Sequence, residues 1–161
     1  MSGLLDQKDL EDFARTLPGY EPGRETIQSF LNSKFAVIAG PTGAGKDTIR
    51  NKLTSEYHQY KTILSTTTRP PRSGEKDGVD YHFRSVEFIK NGLANKRFLQ
   101  AELVHKQQVS ALDVSDISRL RDDQIGLAIL VVQAEMKLRE INPSFKTVFV
   151  IPPSLAILQE R

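Results

Sequence analysis

The chain has 161 residues and no cysteine. Disulfides and thiolate chemistry are therefore excluded, which fits a reducing compartment. An excess of charge of one sign is also missing: 22 basic and 20 acidic residues leave a net charge of +2. That is too little for a bulk electrostatic pull towards nucleic acid or a membrane surface. No apolar run approaches membrane-spanning length, and the opening MSGLLDQKDLEDF lacks the pattern of a signal peptide. The expectations are a cytoplasmic protein with no nucleic-acid or membrane partner; its oligomeric state stays open. The rest of the composition, 39% hydrophobic and 26% charged, is ordinary for a globular protein. The length suffices for one α/β domain with a core.

The most informative stretch is FAVIAGPTGAGKDTIR, Phe35 to Arg50. Phe35 to Ala39 reads as a buried strand, a glycine-rich turn follows, and a helical pattern opens at Lys46. The spacing G-x-x-x-x-G-K between a strand and a helix is that of a phosphate-binding loop. Its members are Gly40, Pro41, Thr42, Gly43, Ala44, Gly45 and Lys46. Glycine lets the backbone approach phosphates without a clashing Cβ. The helix N-terminus adds partial positive charge, and Lys46 reaches the β and γ phosphates of a nucleoside triphosphate. Loops of this type carry a serine or threonine as magnesium ligand after the lysine. Here Asp47 stands there and Thr48 follows, both oxygen donors for Mg2+. A first-turn acid favoured by the helix dipole is the competing reading of Asp47. Along this helix, expected to about Tyr57, Ile49 and Leu53 are predicted to face the sheet and Arg50 to point outward.

Residues 1–33 precede the first strand. Leu4, Leu5, Leu10, Phe13, Ala14 and Leu17 make one side of a short helix, and Arg24 to Asn32 a second. Between them, two prolines and two glycines within Leu17 to Gly23 mark a turn. A helical arm packed on the core or on a second subunit is the expectation, since no chemical constellation stands out.

After a strand over Tyr60 to Ser65 comes STTTRPPRSGEKDGVDYHF. Arg69 and Arg72 are held three residues apart by Pro70 and Pro71, which remove backbone freedom. Guanidinium forks match phosphate bidentately, and Tyr81 adds a hydroxyl. A loop beyond the C-terminal edge of a parallel strand is where ligands bind in open α/β sheets. A phosphate site is the expectation. Further strands are expected over Arg97 to His105, Ile125 to Val132 and Thr147 to Ile151. Short helices are expected over Ser85 to Gly92 and Asp113 to Arg121.

Three segments together resemble the guanylate kinase family: GPTGAGK at 40–46, TTRPPRSGEKDGVDYHF at 67–83 and VIPPS at 150–154. The resemblance covers about residues 35–161. It implies a P-loop three-layer α/β/α sandwich with a mostly parallel sheet. A helical extension at 1–33 would precede a domain at 34–161, with a small acceptor-binding insertion at about 66–112. The implied activity is transfer of the ATP γ-phosphoryl group to a nucleoside monophosphate, GMP in that family, with ATP and Mg2+ required. The partners would be small-molecule nucleotides. By position Lys46, Arg69 and Arg72 would be catalytic. Ser65, Arg69, Arg72, Tyr81 and Gln100 would hold the acceptor. Gly40 to Thr48 and Arg161 would belong to the ATP side, Asp47 and Thr48 to the metal.

The chain departs from the family on the acceptor side. Aligned without a gap, the guanine-reading glutamate becomes Gln100 and a phosphate-binding tyrosine becomes Val109, with Glu102 two residues beyond as a substitute acid. The family's acids at the end of the strand over 125–132 become aliphatic, and Gln133 remains. These changes weaken the expected guanine selectivity. The family's lid would follow Arg161, so the domain is expected to be C-terminally incomplete. Two other readings stand beside a nucleotide kinase: a kinase for another phosphorylated acceptor such as a ribose phosphate, and a non-catalytic binding module. The three histidines need no role in phosphoryl transfer, because an acceptor phosphate is already anionic.

Overall fold

A computed structural model describes residues 5–151. Along the chain come α1 (Gln7–Thr16), a 3-10 turn (Leu17–Gly19), α2 (Arg24–Leu31), β1 (Phe35–Ala39), α3 (Lys46–Glu56), β2 (Tyr60–Ile63), β3 (Thr66–Thr67) and β4 (His82–Phe83). Then follow α4 (Val86–Ala94), β5 (Phe98–Val104), β6 (Gln108–Asp113), α5 (Val114–Ile117), β7 (Ile125–Leu130), α6 (Val132–Ile141) and β8 (Lys146–Phe149). They form two compact units, one of residues up to 31 with 64–118, the other of 32–63 with residues from 119 onward.

The second unit holds a parallel sheet in the order β2-β7-β1-β8. β1 lies inside it and is apolar throughout, as an inner parallel strand must be. Helix α3 packs on β1, β2 and β7, and α6 on β1. Crossovers of this kind define an α/β fold. Glu135 of α6 accepts hydrogen bonds from Arg139 and from the Thr147 hydroxyl (2.7 Å), tying the helix to β8.

The first unit carries a small sheet in the order β4-β3-β6-β5, with β3 and β4 parallel and the other pairs antiparallel. One face packs Phe98, Ala101, Val109 and Ala111 against Phe13, Leu17, Ile89 and Leu93. The N-terminal arm is thus built into this unit's core. Asp6 caps α1 by accepting from Asp9 N–H at 2.7 Å, and Lys90 of α4 bridges to Asp9 and Asp12 at 2.7 and 3.2 Å. Tyr20 donates its hydroxyl to the Phe98 carbonyl at 2.7 Å and accepts from the Phe98 N–H at 3.0 Å. It satisfies both polar backbone groups of the residue at which the β5–β6 register shifts, between Phe98 and Gln100.

Several expectations need correction. The strand from Tyr60 stops at Ile63, and Thr66–Thr67 turn away as β3 of the other sheet. The helix expected over Asp113 to Arg121 begins behind its N-cap Asp113 but is only Val114–Ile117, with Ser118 as C-cap, and Arg121 is drawn instead into a turn in which its N–H donates to Gln124 Oε1 at 3.0 Å. The strand from Ile125 ends at Leu130, and Val131 opens α6, a helix the apolar run concealed. Arg50 is buried and Ile49 is 36% exposed, the reverse of the prediction. Arg50 tolerates burial because its guanidinium meets Asn51 Oδ1 at 3.1 Å and Asp47 at 3.2 Å.

Candidate functional site

In the second unit, β1 runs directly into the glycine-rich loop. Gly40 has φ of 144°, and a Cβ there would stand 2.3 Å from the Val150 carbonyl oxygen. That carbonyl is near because Val150 N–H donates to Ala39 at 2.8 Å where β1 and β8 end side by side. Only glycine fits. Gly45 is the N-cap of α3 in the left-handed region, φ 91°, and brings no side chain to cap the helix. The first N–H groups of α3 lack intrahelical acceptors by geometry, so they are directed at whatever occupies the loop. The Pro41 carbonyl accepts from Ala44 N–H at 3.3 Å and from Lys46 Nζ at 2.7 Å. Lysine thus lies back across the mouth of the loop. Burial pulls its pKa below the ordinary lysine value, partly opposed by Asp47. The protonated form is therefore one that a polyphosphate would stabilise.

Asp47 and Thr48 both sit exposed in the first turn of α3. The Asp47 side chain is 74% exposed and 3.2 Å from Arg50. Carboxylate and hydroxyl are hard oxygen donors, so the pair fits a magnesium ion by donor type. Pro41 and Thr42 are exposed at the tip, Ala44 is buried beneath it, and Gly43 is half-buried. Arg161 lies outside the described residues.

In the first unit, strand register places the other expected residues on one sheet face. Side chains of paired residues share a face, and successive residues alternate. Thr67 pairs with Phe83 and with Ser110, and Ser110 with Glu102. Ser65, two residues before Thr67, continues the ladder with β4, its carbonyl accepting from His82 N–H at 2.9 Å, while Arg69 follows β3 in a bend. The guanidinium of Arg69 lies over Tyr81 and Phe83, 4.8 and 5.4 Å from the ring centres. The register shift after Phe98 turns Gln100 to the same face, opposite Leu112. Ser65, Arg69, Tyr81 and Gln100 are therefore assembled together, away from the core face that carries Ala101, Val109 and Ala111.

The Arg69–Arg72 turn differs from a pair of open cations. Arg69 is buried and forms a fork with Glu75, 2.6 and 2.7 Å, while also donating to the Pro70 carbonyl at 3.0 Å. Glu75 also accepts from Arg72 N–H at 2.7 Å, closing the turn. The Arg69 hydrogen bonds hold the Glu75 carboxyl well below its ordinary 4.5, at about 2. Arg69 is thus a positioned cation with a carboxylate partner. The Arg72 side chain is exposed, and among the described residues nothing accepts from it. Glu75 was missed in the sequence, although an acid soon after two turn-held arginines is a signal for an internal fork.

Gln100 is 2% exposed, and among the described residues neither its Oε1 nor its Nε2 has a hydrogen-bond partner. A buried amide left in this state costs about 1–3 kcal/mol. Val109, which the ungapped alignment sets where the family has a phosphate-binding tyrosine, is fully buried on the core face. Ser110, its neighbour, lies on the Gln100 face instead. Ser110 went unnoticed because β6 did; the alternation of Gln108, Ser110 and Leu112 against Val109 and Ala111 was the signal.

A parallel sheet whose inner strand delivers a glycine-lined loop to a helix N-terminus defines the P-loop class of α/β proteins. The sequence pattern of guanylate kinase matches residues 32–161, and the chain belongs to the guanylate kinase family. It is 34% identical over 125 residues to a guanylate kinase of Hydrogenovibrio crunogenus, covering 78% of this chain and 61% of that one. A guanylate kinase of Helicobacter pylori is 34% identical over 133 residues, covering 81% and 65%. The crystal structure of guanylate kinase from Anaplasma phagocytophilum shares the fold at a TM-score of 0.67, with 23% identity over 80% of this chain and 65% of that one. The chain spans between three-fifths and two-thirds of the length of these relatives.

Proposed function

We propose that the protein transfers the γ-phosphoryl group of ATP to a nucleoside monophosphate, with GMP as an acceptor. Retention of Lys46 on a complete glycine loop is the observation that carries this reading, because a module that only binds has no need of a cation at the β and γ phosphates. In the transfer, an acceptor phosphate oxygen attacks the γ-phosphorus. The bond from that phosphorus to the β–γ bridging oxygen breaks, and ADP leaves with the electron pair. Lys46 and the α3 N–H groups neutralise the donor oxygens. Arg72, with Arg69 set behind it by Glu75, orients the acceptor phosphate in line. Asp47 and Thr48 are the residues that would hold Mg2+, which when bound offsets charge on the β and γ oxygens.

The family relationship and the lysine favour this reading over a binding module. A coupled assay of ADP release from ATP, run on the full chain with GMP, dGMP, AMP, UMP and ribose phosphates, tests it. The expected result is acceptor-dependent ADP release with GMP. Release with ribose phosphates alone would reassign the acceptor, and no release with any acceptor would contradict the kinase reading.

A further inference from the structure

This inference rests on the kinase reading and names the acceptor class of its site. Gln100 brings a fully buried amide with no partner among the described residues to the sheet face that also carries Ser65, Arg69 and Tyr81. Its place is set by the register shift after Phe98, which Tyr20 holds through both backbone groups of that residue. The pairing Thr66↔Ala111↔Ala101 puts Ser65 in one row with Leu112 and Gln100. Two strand spacings separate Ser65 from Gln100, about 10 Å. That is a reach comparable to a nucleoside monophosphate laid across the strands, phosphate towards the Ser65 and Arg69 side and ring towards the amide.

The hydrogen-bonding pattern of the amide decides which ring fits. An amide offers one acceptor beside one donor, whereas a carboxylate offers two acceptors. A 6-oxopurine presents N1–H beside O6, and a 6-aminopurine presents N1 beside its amino group; both complement an amide, which rotates to suit. The 2-amino group of guanine is a second donor, for which the amide has no acceptor left. We propose that Gln100 reads positions 1 and 6 of a purine and leaves position 2 unread, so that acceptors with and without the 2-amino group are taken alike. The amide is closed off from water in this structure, so the ring enters as the side chains over this face part. The unmet hydrogen bonds are then satisfied by the ring.

The test compares GMP with IMP, which differ only in the 2-amino group, with AMP as a third ligand. Dissociation constants are measured by calorimetry and kcat/KM by ADP release, on the full chain and on Gln100→Glu and Gln100→Leu. The expected wild-type result is GMP and IMP within about threefold in both measures. Gln100→Glu is expected to favour GMP over IMP by about tenfold or more, since a carboxylate accepts from both N1–H and the 2-amino group. Gln100→Leu is expected to weaken both ligands at least tenfold. A wild-type preference for GMP above tenfold overturns the proposal, and its disappearance in Glu102→Ala would give the reading to Glu102. Unchanged binding of both ligands in Gln100→Leu would show the amide to be a packing defect and overturn it as well. Binding without turnover contradicts the kinase reading alone and leaves the GMP-to-IMP ratio to decide the role of Gln100.

Discussion

Lys46 has its ammonium on the Pro41 carbonyl at 2.7 Å, a contact that a polyphosphate would replace. Removing it leaves the loop backbone unchanged and takes away the charge opposite the transferred group. Lys46→Ala is expected to lower kcat for phosphoryl transfer by at least about a hundredfold, with circular dichroism unchanged. Gly40 answers to a different constraint. A Cβ at φ 144° and 2.3 Å from the Val150 oxygen meets backbone that cannot move aside. Gly40→Ala is expected to destabilise the fold by about 2–5 kcal/mol, summing strain and overpacking, as read by urea denaturation. Tyr20 acts at yet another level, on the backbone of Phe98. Tyr20→Phe leaves that N–H and carbonyl without their partner and is expected to cost about 1–3 kcal/mol. Burial raises the Tyr20 pKa from 10.0 to about 12. The raised value favours the protonated form in the fold, so its contribution is complete below pH 10 and is lost as pH rises through about 12. Alkaline denaturation of wild type against Tyr20→Phe reads that window directly.

Among the elements, the turn from Arg69 to Glu75 behaves as one preassembled piece. The fork holds a buried guanidinium in place, and the carboxylate is depressed from 4.5 to about 2. A depressed carboxylate contributes above its unfolded pKa and stops contributing as pH falls through its folded one, so this turn should loosen between about pH 4.5 and 2. Glu75→Gln removes the charge, abolishes that acid window, and is expected to cost about 3 kcal/mol or more by leaving Arg69 buried without a counter-ion. Acid titration followed by tyrosine fluorescence checks both. The elements also show where sequence reading held. The glycine loop and β1 were legible because spacing and an apolar run point the same way. The helix at α4 was legible from Ser85, whose hydroxyl caps it by accepting from Phe88 N–H at 3.1 Å. β6 was not, since only Gln108 to Ala111 alternate in burial, too short a run to stand out. α6 was hidden because Ile129 to Val132 reads as unbroken strand, although the helix opens at Val132 behind an N-cap, Val131, with no capping side chain. β6 is fixed by its ladder with β5, whereas α6 follows the helix-forming run from Gln133 to Arg139, which the apolar stretch before it obscured.

For the molecule as a whole, the division into two units gives each half of the proposed chemistry its own scaffold. The glycine loop belongs to the parallel sheet, and Arg69, Tyr81 and Gln100 belong to the mixed sheet with Phe13 and Leu17 in its core. The described residues of the N-terminal arm contribute Phe13 and Leu17 to the core of the mixed sheet and Tyr20 to the backbone of Phe98. That role was illegible beforehand because it depends on contacts across more than 70 positions, such as Tyr20 to Phe98. Likewise the sequence marked Arg69, Arg72, Tyr81 and Gln100 by type and order, while the common face of Arg69, Tyr81 and Gln100 emerged only from the structure, and Arg72 stays exposed in the turn. The central claim is that the glycine loop and the arginine face serve one transfer reaction. Incubation of the full chain with ATP labelled in its γ-phosphoryl group and GMP tests this most directly, with products separated by chromatography. The account predicts label in GDP, and its loss in Lys46→Ala and in Arg72→Ala alike. Label released as free phosphate at the same rate with or without GMP, or label in GDP that survives both substitutions, would contradict it.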